Sequence, residues 1–479
     1  MTHAQTYLGP KGYTILKDSI CMSEQEFIRR ELMIAPYVPK GMFKAPPAFP
    51  VYRESHKKLY VPRFFGINLY GLPDDTTIPP GLPIDVAFRG SLRDPQVPIV
   101  DTYLECARTR GCGLVELPCG FGKTIVALNI LSRLQKKTLV IVHKEFLLEQ
   151  WLERIHEFLP SARIGRIQGQ VMDIEDKDIV IGMLQSLSMK TYPPDAFSEF
   201  GFTIVDETHH MAAEVFSNSL FKIVTPYMLG LSATMTRKDG LTKIFKMFLG
   251  EVEYKAEREI KGNLVVQAIQ YRTSDQVFNE TLVDYRGYPQ YSRMIGKICE
   301  YAPRGNFVAG VLVNLMRDPL NGQVMVLSQN KSLLHFLYSA LDAREPGLAG
   351  FYVGGMKQKD LKLAETKKII LATYAMAEEA LDIKTLTTLV MATPKTSVTQ
   401  SIGRILRTDH ERPLVVDIVD SHDVFVKQWG KRKAHYFKNQ YKIMQIASDE
   451  YDHGEWVQVK KAARAKRKPK CMVPLNLVV

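Results

Sequence analysis

Eight residues at 117–124, LPCGFGKT, combine two glycines with a lysine and a threonine hydroxyl. The run GLVEL before them reads as a strand and IVALNILSRL after them as a helix. That strand–loop–helix setting is what turns Gly-Lys-Thr into a phosphate-binding loop. Gly120 and Gly122 let the backbone approach a phosphate, and the helix N-terminus adds converging N–H groups and the positive end of its dipole. Lys123 is then placed for the β- and γ-phosphates of a nucleotide, and the Thr124 hydroxyl for Mg²⁺. A glycine-rich turn ahead of an ordinary helix has the same composition, so the assignment needs a second half. FTIVDETHH at 202–210 supplies it: an apolar strand ending in two adjacent carboxylates. In an open α/β sheet, ligands bind outside the carboxyl ends of the strands. There Asp206 would hold Mg²⁺ and Glu207 would polarise an attacking water. His209 and His210 lack the spacing of a zinc pair. A third strand, LGLSAT at 229–234, ends in Ser232 and Thr234. Their hydroxyls could bond Asp206 or His209 and couple nucleotide state to the rest of the chain, or simply terminate the strand.

The elements that must position these groups are legible in the texture of the chain. From about Gly90, short β-branched runs (TLVIV, DIVIG, FTIVD, YMLGLS) alternate with amphipathic stretches, and the pattern recurs in VVQAIQY, QVMVLS, KIILAT, TLVMAT and LVVDIVD. Alternation of this kind indicates two doubly wound parallel sheets in tandem. The expected division is an N-terminal accessory domain at 1–88, α/β domains at 89–255 and 256–442, and a basic tail at 443–479. The first segment is rich in proline and aromatics, which break it into short strands and turns. Its YRESHKKLYVPRFF stretch reads either as base-stacking aromatics among cations or as a half-buried strand with snorkelling lysines.

Composition narrows the function classes. With 46% hydrophobic residues in 479, the chain can bury two or three cores and is not a disordered protein. A net charge of +12 favours a polyanionic partner. The six cysteines are scattered without a CxxC pair, against a disulfide framework or zinc site. The N-terminus lacks the pattern of a secretory signal, and no uncharged apolar run is long enough for a membrane span. A soluble, intracellular protein without a membrane partner is expected. In the tail, Lys460, Lys461, Arg464, Lys466, Arg467, Lys468 and Lys470 read as a solvated terminus, a nucleic-acid tether or a localisation signal.

LPCGFGKT, DETHH, LSATMTRKDG, AEEALDI and QSIGRILR fall in the order and spacing of motifs I, II, III, V and VI of the superfamily 2 helicases. The set spans about two-thirds of the chain. The LPCG form of motif I and the RKDG after motif III resemble the branch that includes XPB- and UvsW-type enzymes, close to helicases of large cytoplasmic DNA viruses. The resemblance implies two RecA-like domains, ATP and Mg²⁺ as cofactors, and nucleic acid as partner, DNA favoured over RNA. It also implies possible association with transcription or replication proteins. The compartment would be the cytoplasm (a viral factory or virion, for a viral protein) or the nucleus. Arg93 and Gln96 would lie near adenine, and Pro118, Cys119, Phe121, His209 and Asp382 near the nucleotide. Gln400, Arg404 and Arg407 form motif VI, the arginines reaching across an interdomain cleft to the γ-phosphate. His143, Lys144, Gln185, Ser186, Ser328, Gln329, Gly354, Gly355 and Thr373 would grip the phosphate backbone of one strand, largely without reading sequence. Glu379 would lie near nucleic acid or ribose. Ser232, Ala233, Thr234, Arg237, Lys238 and Asp239 would couple the two activities.

Departures from the family pattern include Phe121 in motif I, Thr208 after the carboxylates, Met235 after SAT and Ala380 before Leu-Asp. Lys238 stands where XPB-like proteins carry glutamate in a strand-separating Arg-Glu-Asp element. None removes a catalytic group. The reading is a DNA-dependent ATPase moving 3′ to 5′. Its rivals are an RNA helicase, a restriction-system motor and a non-catalytic nucleic-acid scaffold.

Overall fold

The computed structural model describes residues 4–36, 47–118, 120–208, 211–235, 240–256, 263–318, 321–379, 383–396, 398, 401–403 and 410–461. The chain divides into two compact units, Met1–Arg258 and Glu259–Val479.

The first unit is built on an eight-stranded sheet. In spatial order the strands are Val171–Asp173, Ile164–Gln168, Ile179–Met183, Thr138–Val142, Phe202–Val205, Tyr227–Ser232, Cys112–Glu116 and Val252–Lys255. Pairing is parallel throughout except at Val171–Asp173. The central strands are apolar at nearly every position because both faces are covered. In Thr138–Val142, Val140 and Val142 pack with Tyr103, Leu128 and Trp151 from the helices Val97–Arg110, Lys123–Leu134 and Glu145–Phe158. Leu139 and Ile141 face the other core, with Phe216, Phe245 and Phe248.

The N-terminal segment does not stand apart. Its five-stranded sheet (Arg53–Glu54, Lys58–Val61, Gly12–Leu16, Thr6–Gly9, Asp75–Thr76) contributes Leu8, Tyr13, Ile15, Leu59 and Val61 to that second core. Arg63 fastens it further, donating to the carbonyls of Arg110 (2.9 Å) and Pro226 (3.1 Å). In YRESHKKLYVPRFF the strand Lys58–Val61 is half-buried, and Arg53, Lys58 and Arg63 meet protein. Arg53 donates to Asn218 Oδ1 and lies over the Phe221 ring, and Lys58 donates to the Tyr7 hydroxyl (3.0 Å).

The second unit repeats the architecture. Its strands, in spatial order, are Ala349–Tyr352, Ile369–Thr373, Gln323–Ser328, Leu386–Met391, Leu414–Asp420, Val265–Tyr271, Lys442–Ala447 and Val457–Gln458. All pair in parallel but the last. The sheet therefore takes in strands from the segment expected to be tail. Of the basic cluster only Lys460 and Lys461 fall among the described residues. Among those residues no helix is long and apolar enough to cross a membrane.

Candidate nucleotide and nucleic-acid site

The strand Cys112–Glu116 delivers the chain to Leu117, whose N–H donates to the Ser232 carbonyl (2.9 Å). Pro118, Gly120 and Phe121 form the turn, and the helix Lys123–Leu134 starts from Gly122 at φ 90°. A Cβ at Gly122 would lie 2.4 Å from Gln96 Nε2, so conformation and space both demand glycine there. Gln96 is buried and committed to the loop: Nε2 donates to the Phe121 carbonyl (2.8 Å), while Oε1 accepts from the Arg93 N–H (2.9 Å). Arg93 donates to the same Phe121 carbonyl and sits 5.9 Å from its ring centroid. The pair expected near adenine thus holds the Phe121 carbonyl of the loop. Thr124 occupies the first turn of the helix, half-buried.

Asp206 follows the strand Phe202–Val205 and is buried. Its Oδ2 accepts from Trp151 Nε1 (2.9 Å) and its Oδ1 from the Glu207 N–H (2.9 Å). Burial, and after it the charge of Glu207, push the Asp206 carboxyl up to about 6, with Lys123 pulling the other way. Glu207 has φ 49°, a region that side-chain-bearing residues seldom occupy. Departures of this kind collect at working sites. The Glu207 carboxylate forms an ion pair with Lys123 Nζ. Asp206, Glu207 and Lys123 are thereby brought together beside the glycine turn. Lysine and backbone N–H groups suit a polyphosphate, and a buried carboxylate suits a hard divalent cation.

Ser232 donates to the Thr234 carbonyl (2.7 Å), closing its own turn, with Ala233 between them. The described link from the carboxylate segment to that strand runs through Thr208, buried, with its hydroxyl 3.4 Å from the Leu231 carbonyl. His143 and Lys144 leave the end of Thr138–Val142, and burial lowers the Lys144 pKa. Gln185 is exposed on the helix Leu184–Met189, where Ser186 Oγ accepts from the Gly169 N–H (3.0 Å). All these positions follow carboxyl ends of strands in the one parallel sheet.

The second unit gathers its expected residues on the same kind of edge. Ser328 and Thr373 are register partners at the ends of Gln323–Ser328 and Ile369–Thr373. Gly354 and Gly355 follow Ala349–Tyr352 and are exposed. Gln329 Nε2 donates to the Tyr291 hydroxyl (2.8 Å) and to the Pro394 carbonyl. Cys119, His209, Arg237, Lys238, Asp239, Asp382, Gln400, Arg404 and Arg407, with the Glu379 side chain, lie outside the described residues.

Reading the sequence missed a set of carbonyl contacts. Four consecutive carbonyls after Leu386–Met391, in the segment leading toward Gln400–Arg407, each accept from a side chain. Arg304 Nη2 donates to Ala392 (2.8 Å), Tyr374 to Thr393 (2.6 Å), Tyr291 to Pro394 (3.3 Å) and Arg432 Nη1 to Lys395 (2.8 Å). Both arginines are buried and paired in turn. Arg304 bonds Asp420 through Nε (2.5 Å) and Nη2 (2.8 Å), and Arg432 bonds Asp417 through Nε (2.8 Å) and Nη2 (2.9 Å). The two aspartates inside the apolar run LVVDIVD are the one sequence signal that buried cations must be near.

Known proteins bear on this arrangement. Residues 89–237 match the family described as type III restriction enzyme, res subunit. An Acanthamoeba polyphaga mimivirus protein named as an ATP-dependent RNA helicase is 33% identical over 446 residues, 90% of this chain and 85% of that protein. The chain belongs to this family of superfamily 2 helicases. An African swine fever virus protein, also named as an ATP-dependent RNA helicase, is 25% identical over 362 residues, 70% of each chain. Among solved structures, yeast Dbp5 bound to RNA and ADP BeF3 superposes with TM-score 0.52 at 12% identity, covering 74% of this chain and 90% of its own. A fragment of an HsdR restriction subunit from Vibrio vulnificus gives TM-score 0.53 at 16% identity, covering 77% and 71%. Those two likenesses show the tandem RecA-like fold. The helicase is thus an ATP-hydrolysing enzyme that acts on nucleic acid.

Proposed function

We propose that the helicase moves 3′ to 5′ along one DNA strand, separating or remodelling duplexes in transcription, repair or recombination of a viral kind. One observation carries the assignment of the ATP site: Asp206, Glu207 and Lys123 converge beside a glycine turn braced by Gln96 and Arg93. In this reading Lys123 binds the β- and γ-phosphates, and Glu207 orients the attacking water once the incoming phosphate takes Lys123 from it. Thr124 and Asp206 would hold Mg²⁺, which supplies charge neutralisation to the phosphates. Gln400, Arg404 and Arg407 stabilise charge developing on the γ-phosphoryl group. Supporting that role, the segment ahead of them is gripped at four carbonyls. Ser328, Gln329, Gly354, Gly355 and Thr373 in the second unit, and His143, Lys144, Gln185 and Ser186 in the first, bind the strand backbone. Ser232 to Thr234 and Arg237 to Asp239 couple the two activities.

RNA is the second reading, favoured by the names of the mimivirus and African swine fever virus relatives. Phosphate release measured with single-stranded DNA, duplex DNA and RNA separates the two. Stimulation by DNA alone supports the first; stimulation confined to RNA rejects it. Unwinding of duplexes carrying only a 3′ or only a 5′ tail tests the direction.

A further inference from the structure

The segment between Val265–Tyr271 and the helix Tyr291–Glu300 holds the most exposed aromatic pair in the second unit's described residues. Tyr285 is 80% and Tyr288 65% accessible, and they stand in one turn with Arg286 between them. The turn is built, not slack. Asp284 N–H donates to the Tyr288 carbonyl (2.8 Å), and Gln290 N–H to that of Leu282 (2.8 Å), around the bridge Val283–Pro289. Asp284 Oδ1 accepts from the N–H groups of both Arg286 (2.9 Å) and Tyr288 (2.9 Å), and Gly287 at φ 80° closes the tip. The Arg286 guanidinium lies 5.0 Å from the Tyr285 ring centroid. At the foot, Tyr291 shares hydrogen bonds with Gln329 and Pro394. The hairpin therefore rises from the sheet edge where Ser328 and Thr373 end their strands.

We propose that this hairpin tip is a base-stacking contact for the nucleic-acid strand, with Tyr285 and Tyr288 offering ring faces and Arg286 meeting a phosphate. The proposal rests on the strand-binding reading of that edge. Leaving two aromatic rings in water on a pinned turn forgoes burial that a disordered loop could recover. A tip of four residues cannot cover the ~800 Å² per partner of a stable protein interface, whereas one ring suffices for one base. Its only carboxylate, Asp284, is occupied by two backbone donors, which lessens its repulsion of a phosphate.

The test compares the full-length protein with Tyr285→Ala/Tyr288→Ala and Tyr285→Phe/Tyr288→Phe. Each is titrated against a fluorescent single-stranded DNA oligonucleotide, and against its RNA counterpart, at several salt concentrations. Losing two stacked bases should weaken binding by at least about thirtyfold. The salt slope should stay unchanged because no phosphate contact is lost. The phenylalanine pair should bind like wild type, and ATPase without nucleic acid should be equal in all three. Wild-type affinity in the alanine pair would overturn the stacking contact, as would an equal loss in the phenylalanine pair. A wild-type protein that binds neither oligonucleotide would instead reject the strand-binding reading beneath it.

Discussion

Both sheets carry aspartates in or just after apolar strands, and the two sets are treated in opposite ways. In the first unit Asp206 is buried against a neutral indole N–H and a backbone amide, with a second carboxylate beside it. Lys123 pairs with Glu207 beside them. In the second unit Asp420 and Asp417 each receive a buried guanidinium through two bonds, and those guanidiniums go on to hold carbonyls. The first arrangement sets two carboxylates side by side, a disposition that suits a bound cation. The second pairs each carboxylate with a cation inside the fold. On the proposed reading, the same residue type serves turnover in one sheet and shape in the other.

The largest way to break this comparison is to remove the displaceable cation. Lys123→Ala should lower ATP turnover by at least about a hundredfold. Nucleic-acid binding should persist through the other loops, as phosphate release and strand titration would report. Retained turnover would take Lys123 out of the site. Next in size is the fixed pair. Arg304→Met leaves Asp420 buried without its partner and should cost about 3–5 kcal/mol. In thermal unfolding that is a drop of roughly 10 °C. Adding Asp420→Leu should recover most of the loss, because an apolar pair needs no desolvation. A smaller effect is expected from Tyr374→Phe, which frees one carbonyl of four and should cost about 1 kcal/mol. An unchanged melting temperature there would mean that the Thr393 carbonyl finds another donor.

Much of the first region was legible because its signals are local. TLVIV and FTIVD are apolar at nearly every position, as suits strands covered on both faces, and Gly122–Thr124 mark a candidate phosphate loop by adjacency. Residues whose roles depend on distant partners were not legible. Gln96 is read for adenine, and its further bonds, to loop backbone 25 residues away and to the Arg93 N–H, have no signal in the sequence. Trp151 looks like one more core residue until Asp206 meets it 55 positions on. Arg304 and Asp420 are separated by 116 residues, and nothing in either neighbourhood names the other. The N-terminal segment, read as an accessory body, shares the first unit's core because Leu8, Tyr13 and Ile15 alternate toward it.

Two isosteric changes measured side by side, Asp206→Asn and Asp420→Asn, test the division between working and structural carboxylates most directly. Asparagine at 206 keeps one of two hydrogen bonds and relieves repulsion from Glu207, so the melting temperature should move by only a few degrees while ATP turnover collapses. At 420 it strips the buried Arg304 of its counter-charge, so the melting temperature should fall by roughly 10 °C. Turnover below that transition should remain the larger of the two. Full turnover in Asp206→Asn, or an unaltered melting temperature in Asp420→Asn, would contradict the division.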